Sequence, residues 1–413
     1  MKNIYIHIWS MIGMILIVSA CAKDIKMTNQ KPIINISHSL DGLNLTINGT
    51  ANDPDGKISE ITIFWGDNNM DDLFGSVLTN INLSHSYLNP GIYTIRITAR
   101  DNVGDSTSQS FPLTVDFNET KLTGIKETMF KKSKNEYLIL TLNLHTYQET
   151  QQNEKFNIIT DIIGKMDIDF IALQECAQNK SSAIKEGIVR VDNMALIISD
   201  RLKQKYNANY NYVWNWSHYG WTVWEEGLAI LSKYPLLASE DRYISSVTDV
   251  NNISSRKAMY ATYQLPKGRI NIFSAHTHWR TSLTDEEQNN EIKNIQLMVD
   301  EKEALTPLKA SIICGDFNGN PTSDFPWSEG YNTMMKNNDY KDSFFEIYPA
   351  ANSKPPQSIY NTIGGDLPGR IDYIFIKNNA YLKVVDSQII FKNDVVGNVS
   401  DHYGVLTKLI FVK

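Results

Sequence analysis

The sequence predicts two folded units of different class: a small β-sandwich over residues 31–117 and a larger α/β layered domain over residues 121–413. Three observations predict this. Residues 31–117 alternate apolar and polar and contain no helix-period stretch. From residue 137 onward, apolar strand-like runs follow one another with helix-period stretches between them. Those later runs end repeatedly in a polar residue of chemical use, as loops at a sheet edge do when they carry a site.

Length and charge bound the answer. A chain of 413 residues, 42% hydrophobic, is enough for two or three domains with at least one sizeable core. The net charge of -7 leaves no general basic footprint, which argues against tight duplex binding. Metal-assisted nucleases stay open, because a bound cation supplies positive charge. No spacing among Cys21, Cys176 and Cys314 makes a zinc–thiolate site; the latter two read as small buried thiols, with a disulfide between them the alternative.

Residues 1–20 carry a basic start, a largely apolar stretch and the ending Val18-Ser19-Ala20 before Cys21, the pattern of an export signal. The ending resembles the bacterial lipoprotein signal, in which the Cys becomes the lipidated first residue. That resemblance implies lipidation at Cys21, a polar tether over 21–30, and a place in the bacterial cell envelope, with Ala22 after the Cys fitting the outer membrane. No later run is long enough to span a bilayer.

In the first unit, 43–47, 58–64 and 93–97 alternate, with turn residues between them. Asp53-Pro54-Asp55-Gly56, Trp65-Gly66-Asp67, His85-Ser86-Tyr87 and Asp101-Asn102-Val103-Gly104 resemble the PKD domain, an immunoglobulin-like module. Trp65 is expected in the sandwich core, and Asp53, Asp55 and Asp67 in loop and turn duty, with calcium binding the alternative.

The second unit opens with the apolar run 137–142 into Asn143, a helix over 154–166 with Phe156, Ile159, Ile163 and Met166 on one stripe, and a strand ending at Gln174-Glu175. A second helix is expected over 193–205. The stretch 210–224 is crowded with aromatics, some for a core strand and others, Trp221 and Trp224 among them, for a rim that stacks on substrate. The run 269–275 leads to His276-Thr277-His278, two His facing one side. A helix over 285–299 groups Ile292, Ile295, Leu297 and Met298. The run Ser311-Ile312-Ile313-Cys314 then breaks at Gly315 and presents Asp316 and Asn318 two apart. A flexible loop over 364–369 leads to Arg370 and Asp372 on one strand face, and Ser400-Asp401-His402 precedes the last apolar run.

Taken in order, Leu142-Asn143, Leu173-Gln174-Glu175, Gly227-Leu228-Ala229-Ile230-Leu231-Ser232, His276, Gly315-Asp316-Phe317-Asn318, Arg370-Ile371-Asp372-Tyr373 and Ser400-Asp401-His402 resemble the endonuclease/exonuclease/phosphatase family across nearly all of 137–413. The resemblance implies a four-layer α/β/β/α sandwich of two packed sheets and hydrolysis of phosphate esters with Mg²⁺, or Mn²⁺ or Ca²⁺ in its place. It also implies roles. Glu175 is the direct ligand for a hard cation, helped by Asn143 and Asp401. Asp316 orients or deprotonates the attacking water, and Asn318 donates to phosphate or water. His402, held by Asp372, and His276 contact phosphoryl oxygens. Whether Asp316 or His402 takes the proton stays open, as does the choice of His276 or His278. His278, Arg370, Trp221 and Trp224 are expected to touch substrate.

The expected protein is therefore a monomeric, lipid-anchored hydrolase. Its substrate is a phosphate ester: nucleic acid, a phospholipid headgroup such as sphingomyelin's, or a small ester. The rival from another class is a surface adhesion lipoprotein, which has no need of Asn143, Glu175, Asp316, Asn318, Asp372, Asp401 and His402 together.

Overall fold

The computed structural model describes residues 28–412 apart from 75–77, 88–90, 117–123, 126, 132, 306–307, 309, 366–368, 378–380 and 393–395. The expected export segment, Cys21 and the expected tether up to residue 27 lie outside the described residues, as do Asp366, Leu367 and Pro368 of the glycine-rich loop.

The first unit is all β. Its strands are β1 (Ile33–Asp41), β2 (Asn44–Asn52), β3 (Ile58–Phe64), β4 (Met70–Phe74), β5 (Leu78–Ser86), β6 (Gly91–Asp101) and β7 (Ser106–Val115). They form two antiparallel sheets, ordered β1-β2-β5 and β4-β3-β6-β7. Alternation decides what is buried: Leu45, Ile47, Ile61, Ile63, Ile95 and Ile97 are buried around a fully buried Trp65. The indole N–H of Trp65 donates to Asp71 at 2.8 Å, so its burial leaves no orphaned donor. Asp67 accepts from Asn69 and pairs with His85 at 2.7 Å, while Asp53 and Asp55 take backbone amides. That is the expected turn duty.

The second unit runs β8 (Glu136–Asn143), α1 (Gln152–Met166), β9 (Phe170–Asn179), β10 (Ile184–Glu186), β11 (Val189–Arg190), α2 (Met194–Tyr206), β12 (Asn211–Gly220), β13 (Trp224–Ser232), β14 (Leu236–Tyr243), β15 (Lys257–Leu265) and β16 (Gly268–His276). It continues through α3 (Glu287–Leu305), β17 (Ala310–Asp316), α4 (Glu329–Met335), β18 (Tyr340–Asp342), α5 (Ser343–Ile347), β19 (Asp372–Lys377), β20 (Leu382–Ile390) and β21 (Gly404–Phe411). Two six-stranded sheets result, β12-β13-β9-β8-β21-β20 and β14-β15-β16-β17-β19-β18. Their facing sides interlock Ile139, Phe170, Ala172, Ile230, Ile272, Ile312 and Ile374. Helices α1 and α2 cover the outside of one sheet with Ile158, Ile159, Ile162, Ile163, Ile198 and Leu202. On the other sheet α3 lays down Ile292, Ile295, Met298 and Val299. Four layers follow from strands apolar on both faces, which must be covered twice.

Local signals place the helices. Asn193 caps α2 by accepting from the amides of Ala195 and Leu196. One expectation fails on α3: Leu297 is exposed, because at 100° per residue it lies nearly opposite Ile295. Cys176 and Cys314 are buried free thiols in different layers, so no disulfide joins them. Among the described residues, no helix is long and apolar enough to cross a membrane.

Candidate active site

Topology brings the polar strand ends to one edge. Strands β8 and β9 are parallel, which sets Asn143 beside Gln174, and β16 and β17 are parallel, which sets His276 beside Asp316. His276 lies opposite Asp316 in the register of β16 with β17, and Asp316 opposite Asp372 in that of β17 with β19. Three of the expected residues therefore form one row across a sheet. A Cβ on Gly315 would stand 2.0 Å from the carbonyl oxygen of Ala275, so only glycine lets the chain approach this closely beside Asp316.

The facing sheet supplies the carboxylates by a β-bulge. Gly227 pairs with Cys176 and Ala229 with Leu173, leaving Gln174 and Glu175 opposite Leu228 alone. Glu175 takes the left-handed conformation, with φ 46°, that re-aims its side chain. The strand does not end there, as the sequence reading had it, but continues to Asn179. A second bulge at Ser217 on β12 turns His218 toward Glu226. Gly227 sits between the two bulges, where a Cβ would meet Asn215 O at 2.0 Å.

The two sheets meet through Asn143. Its amide nitrogen donates to Glu175 Oε1 at 2.9 Å and to Asp316 Oδ2 at 3.1 Å. Its oxygen accepts from the amide of His145 at 3.0 Å, which leaves it a second lone pair for the expected cation. Thr146, absent from the sequence reading, donates to Glu226 Oε2 at 2.7 Å and lies 3.3 Å from Glu175 Oε2.

Around Asp316 the charges are arranged in opposition. His402 Nδ1 faces the two oxygens of Asp372 at 3.1 and 3.0 Å, and its Nε2 stands 3.7 Å from Asp316 Oδ2. Burial disfavours the imidazolium, but Asp372, Asp316 and Asp401 together outweigh it and raise the His402 pKa to about 10. Burial, then the charge of Asp372, raises that of Asp316 to about 6. Glu175 is raised to about 7 by burial and by Glu226. Glu226 moves down despite its burial, because His218, Arg256 and Thr146 hold its charge. His276 is pushed well below the usual histidine range by burial and by Arg256. Asn318 donates its side-chain nitrogen to Thr277 O at 2.9 Å and its backbone amide to Asp316 Oδ1 at 3.0 Å.

The structure places the remaining candidates differently. His276 stands at the site, with Nε2 3.6 Å from Asp316, whereas His278 is held by Asp285 at 3.0 Å and stacks on Trp279. Arg370 is buried on Asp342, with a 2.7 Å ion pair, and lies over the ring of Tyr373, so it is a core residue rather than a substrate contact. Trp224 stacks on Tyr147 at 4.6 Å and is half-buried, whereas Trp221 is exposed beside His145. Asp401 is exposed and reaches His145 at 3.4 Å rather than Glu175; His145, Glu149 and Asp401 gather as a separate group.

Glu226, His218, Arg256 and Trp279 were missed as site residues. Glu226 opens a strand whose apolar run was read for its packing. Arg256 precedes an apolar run with no pattern that separates it from a surface arginine.

A divalent cation fits what is present. Glu175 and Glu226 bring carboxylate oxygens within 4.8 Å of one another beside His276, and the burial that raises Glu175 leaves its charge undercompensated.

The comparisons with known proteins agree with this geometry. The model of the Endonuclease/Exonuclease/phosphatase family matches residues 140–402, and that of the PKD domain matches 29–115. Among solved structures, the chain is similar to an endonuclease/exonuclease/phosphatase family protein from Leptotrichia buccalis C-1013-b. The identity is 26%, covering 67% of this chain and 100% of that one, with a TM-score of 0.57. The human Nocturnin catalytic domain shares the fold at 16% identity, covering 67% of this chain and 95% of that one, with a TM-score of 0.50. A comparison with curated protein sequences found no match. With the family model spanning most of the chain and seven of its motif residues built into one double-sheet edge, this protein belongs to the endonuclease/exonuclease/phosphatase family, hydrolases of phosphate esters.

Proposed function

We propose that the protein is a lipid-anchored, Mg²⁺-dependent phosphoric ester hydrolase of the bacterial cell envelope, in which Asp316 is the general base. The observation that carries the catalytic reading is the bridge from Asn143 to both Glu175 and Asp316, which brings a cation-binding carboxylate and a base within reach of one phosphate.

Glu175 would hold the cation, with Glu226 adding negative charge beside it. A cation there stabilises charge on the phosphoryl and leaving oxygens. The chain's own residues divide the remaining work. Asp316, raised to about 6, is ionised at neutral pH yet basic enough to accept a proton from water. His402, raised to about 10, keeps its proton, so it serves as a cationic donor to phosphoryl oxygens and not as the base. Asp372 holds its ring through Nδ1, and Asn318 braces Asp316 from its backbone amide. Trp221, exposed beside His145, would stack on the substrate.

The anchor rests on Val18-Ser19-Ala20-Cys21. Cys21→Ala should release the protein from the membrane fraction; retention there would overturn the anchor alone. For the catalytic reading, turnover of phosphodiesters (DNA, RNA, sphingomyelin) and phosphomonoesters is measured with Mg²⁺, Mn²⁺ or Ca²⁺ after chelation. Metal-restored turnover that disappears in Asp316→Asn supports it, and chelator-resistant turnover overturns the metal dependence.

A further inference from the structure

Arg256 is a buried residue that the fold holds tightly and the reaction scheme above leaves idle. Its backbone is fixed on Ser245, whose hydroxyl accepts from its amide at 2.7 Å. Its guanidinium lies under the half-exposed Trp279, with Cζ 5.3 Å from the ring centroid. One terminal nitrogen stands 3.3 Å from Nδ1 of His276 and 3.8 Å from Glu226 Oε1. Glu226 is engaged elsewhere, by His218 Nε2 at 3.0 Å and by Thr146 at 2.7 Å. The charged group within hydrogen-bond reach of His276 Nδ1 among the described residues is an arginine.

This decides where the imidazole proton sits. A guanidinium has donors only, so the ring nitrogen facing it must offer a lone pair. Nδ1 is then the acceptor and Nε2 carries the hydrogen. Nε2 is the nitrogen turned to Asp316, at 3.6 Å.

We propose that Arg256 is a positioning residue that locks His276 in its Nε2–H tautomer, so that His276 donates a hydrogen bond to a phosphoryl oxygen and does not ligate the cation. A pyrrole-type N–H has no lone pair for a metal, so although His276 lies with Glu175 and Glu226 in one potential ligand group, it is excluded from the ligand set. His276 and His402 then act as two donors of different charge, one neutral and one cationic, on either side of Asp316. The inference deepens the hydrolase reading and rests on it for the donor role, though the tautomer does not depend on turnover.

The test is ring ¹⁵N spectroscopy on protein labelled at histidine, chelated and then titrated with Mg²⁺, with the His276 signals assigned from His276→Gln. The expected result is an acceptor-type Nδ1 and a protonated Nε2, both unmoved by Mg²⁺. Arg256→Met should lose the single tautomer and lower kcat by about 10- to 100-fold with KM little changed, as loss of a supporting contact does, and Arg256→Lys should recover part of both. Mg²⁺ affinity, read by calorimetry, should be the same in His276→Gln as in the native protein. An unprotonated Nε2, a shift of Nε2 on adding Mg²⁺, or a tenfold loss of Mg²⁺ affinity in His276→Gln would each overturn the proposal. If the tautomer is as expected and no phosphate ester is turned over, the hydrolase reading fails and the donor role falls with it.

Discussion

Asp316 Oδ2 and His402 Nε2 lie 3.7 Å apart, a carboxylate raised to about 6 facing an imidazolium raised to about 10. Their order is the ordinary one for an imidazole beside a carboxylate: the histidine is the stronger base and keeps its proton, because three carboxylates surround it. A bell-shaped dependence of kcat/KM on pH should result, rising through an apparent pKa near 6 and falling near 10. A profile falling already near 7 would mean that His402 is neutral in the working enzyme.

Asp316→Asn should lower kcat by about 10²–10⁴-fold, the usual weight of a general base. Asparagine keeps the shape and can still accept from the amide of Asn318. The far-ultraviolet circular dichroism and the melting temperature should hold. A variant within threefold of native turnover would remove Asp316 from the mechanism.

Asp372→Asn should pull the alkaline limb of the rate profile down from near 10, since Asp372 is the leading charge that raises His402. Stability follows the same linkage. A histidine whose pKa is raised on folding adds stability that is complete below about 6.5 and is lost as pH climbs to about 10. Melting curves across that window should slope less in the variant than in the native protein.

Glu175 predicts a metal effect with a definite sign. Its folded pKa is raised from 4.5 to about 7, so the folded state holds the proton more tightly than the unfolded chain. The cost of its charge is absent below about 4.5 and complete above about 7. Mg²⁺ should therefore raise the melting temperature more at pH 8 than at pH 5, and at pH 8 a hundredfold excess over Kd is worth about 2.7 kcal/mol. In Glu175→Gln the metal-free protein should be no less stable at pH 8, and the Mg²⁺ shift should vanish. An undiminished shift would put the cation elsewhere.

Arg370→Met tests the reassignment of that residue to the core. It strands Asp342, which is fully buried, and should cost about 3–5 kcal/mol of stability in denaturant titration. A substrate-contact role would instead raise KM with stability unchanged.

Much of the fold and of the site was legible in the chain. Binary pattern announced the sandwich and the α/β domain, because apolar periodicity is set by burial and burial is local in strand and helix. Asn143, Glu175, His276, Asp316, Asp372 and His402 were readable as residues ending or opening apolar runs, since a sheet edge must expose its strand ends. Arg370 was misread because a run's end also borders the core: the same position can face substrate or pack inward. Glu226, Arg256 and His218 gave little signal, for buried charge is recognised only by its partners.

The sequence alone thus determined which strands exist, which side chains stand at their ends, and the family to which the chain belongs. Tertiary structure decided which of those ends work together. Parallel pairing aligned His276 with Asp316, and antiparallel pairing set Asp372 opposite. Two bulges turned Glu175 and His218 toward the facing sheet. Protonation belongs to that level too, because a histidine's tautomer and a carboxylate's charge depend on groups tens of residues away in the chain and a few ångströms away in space.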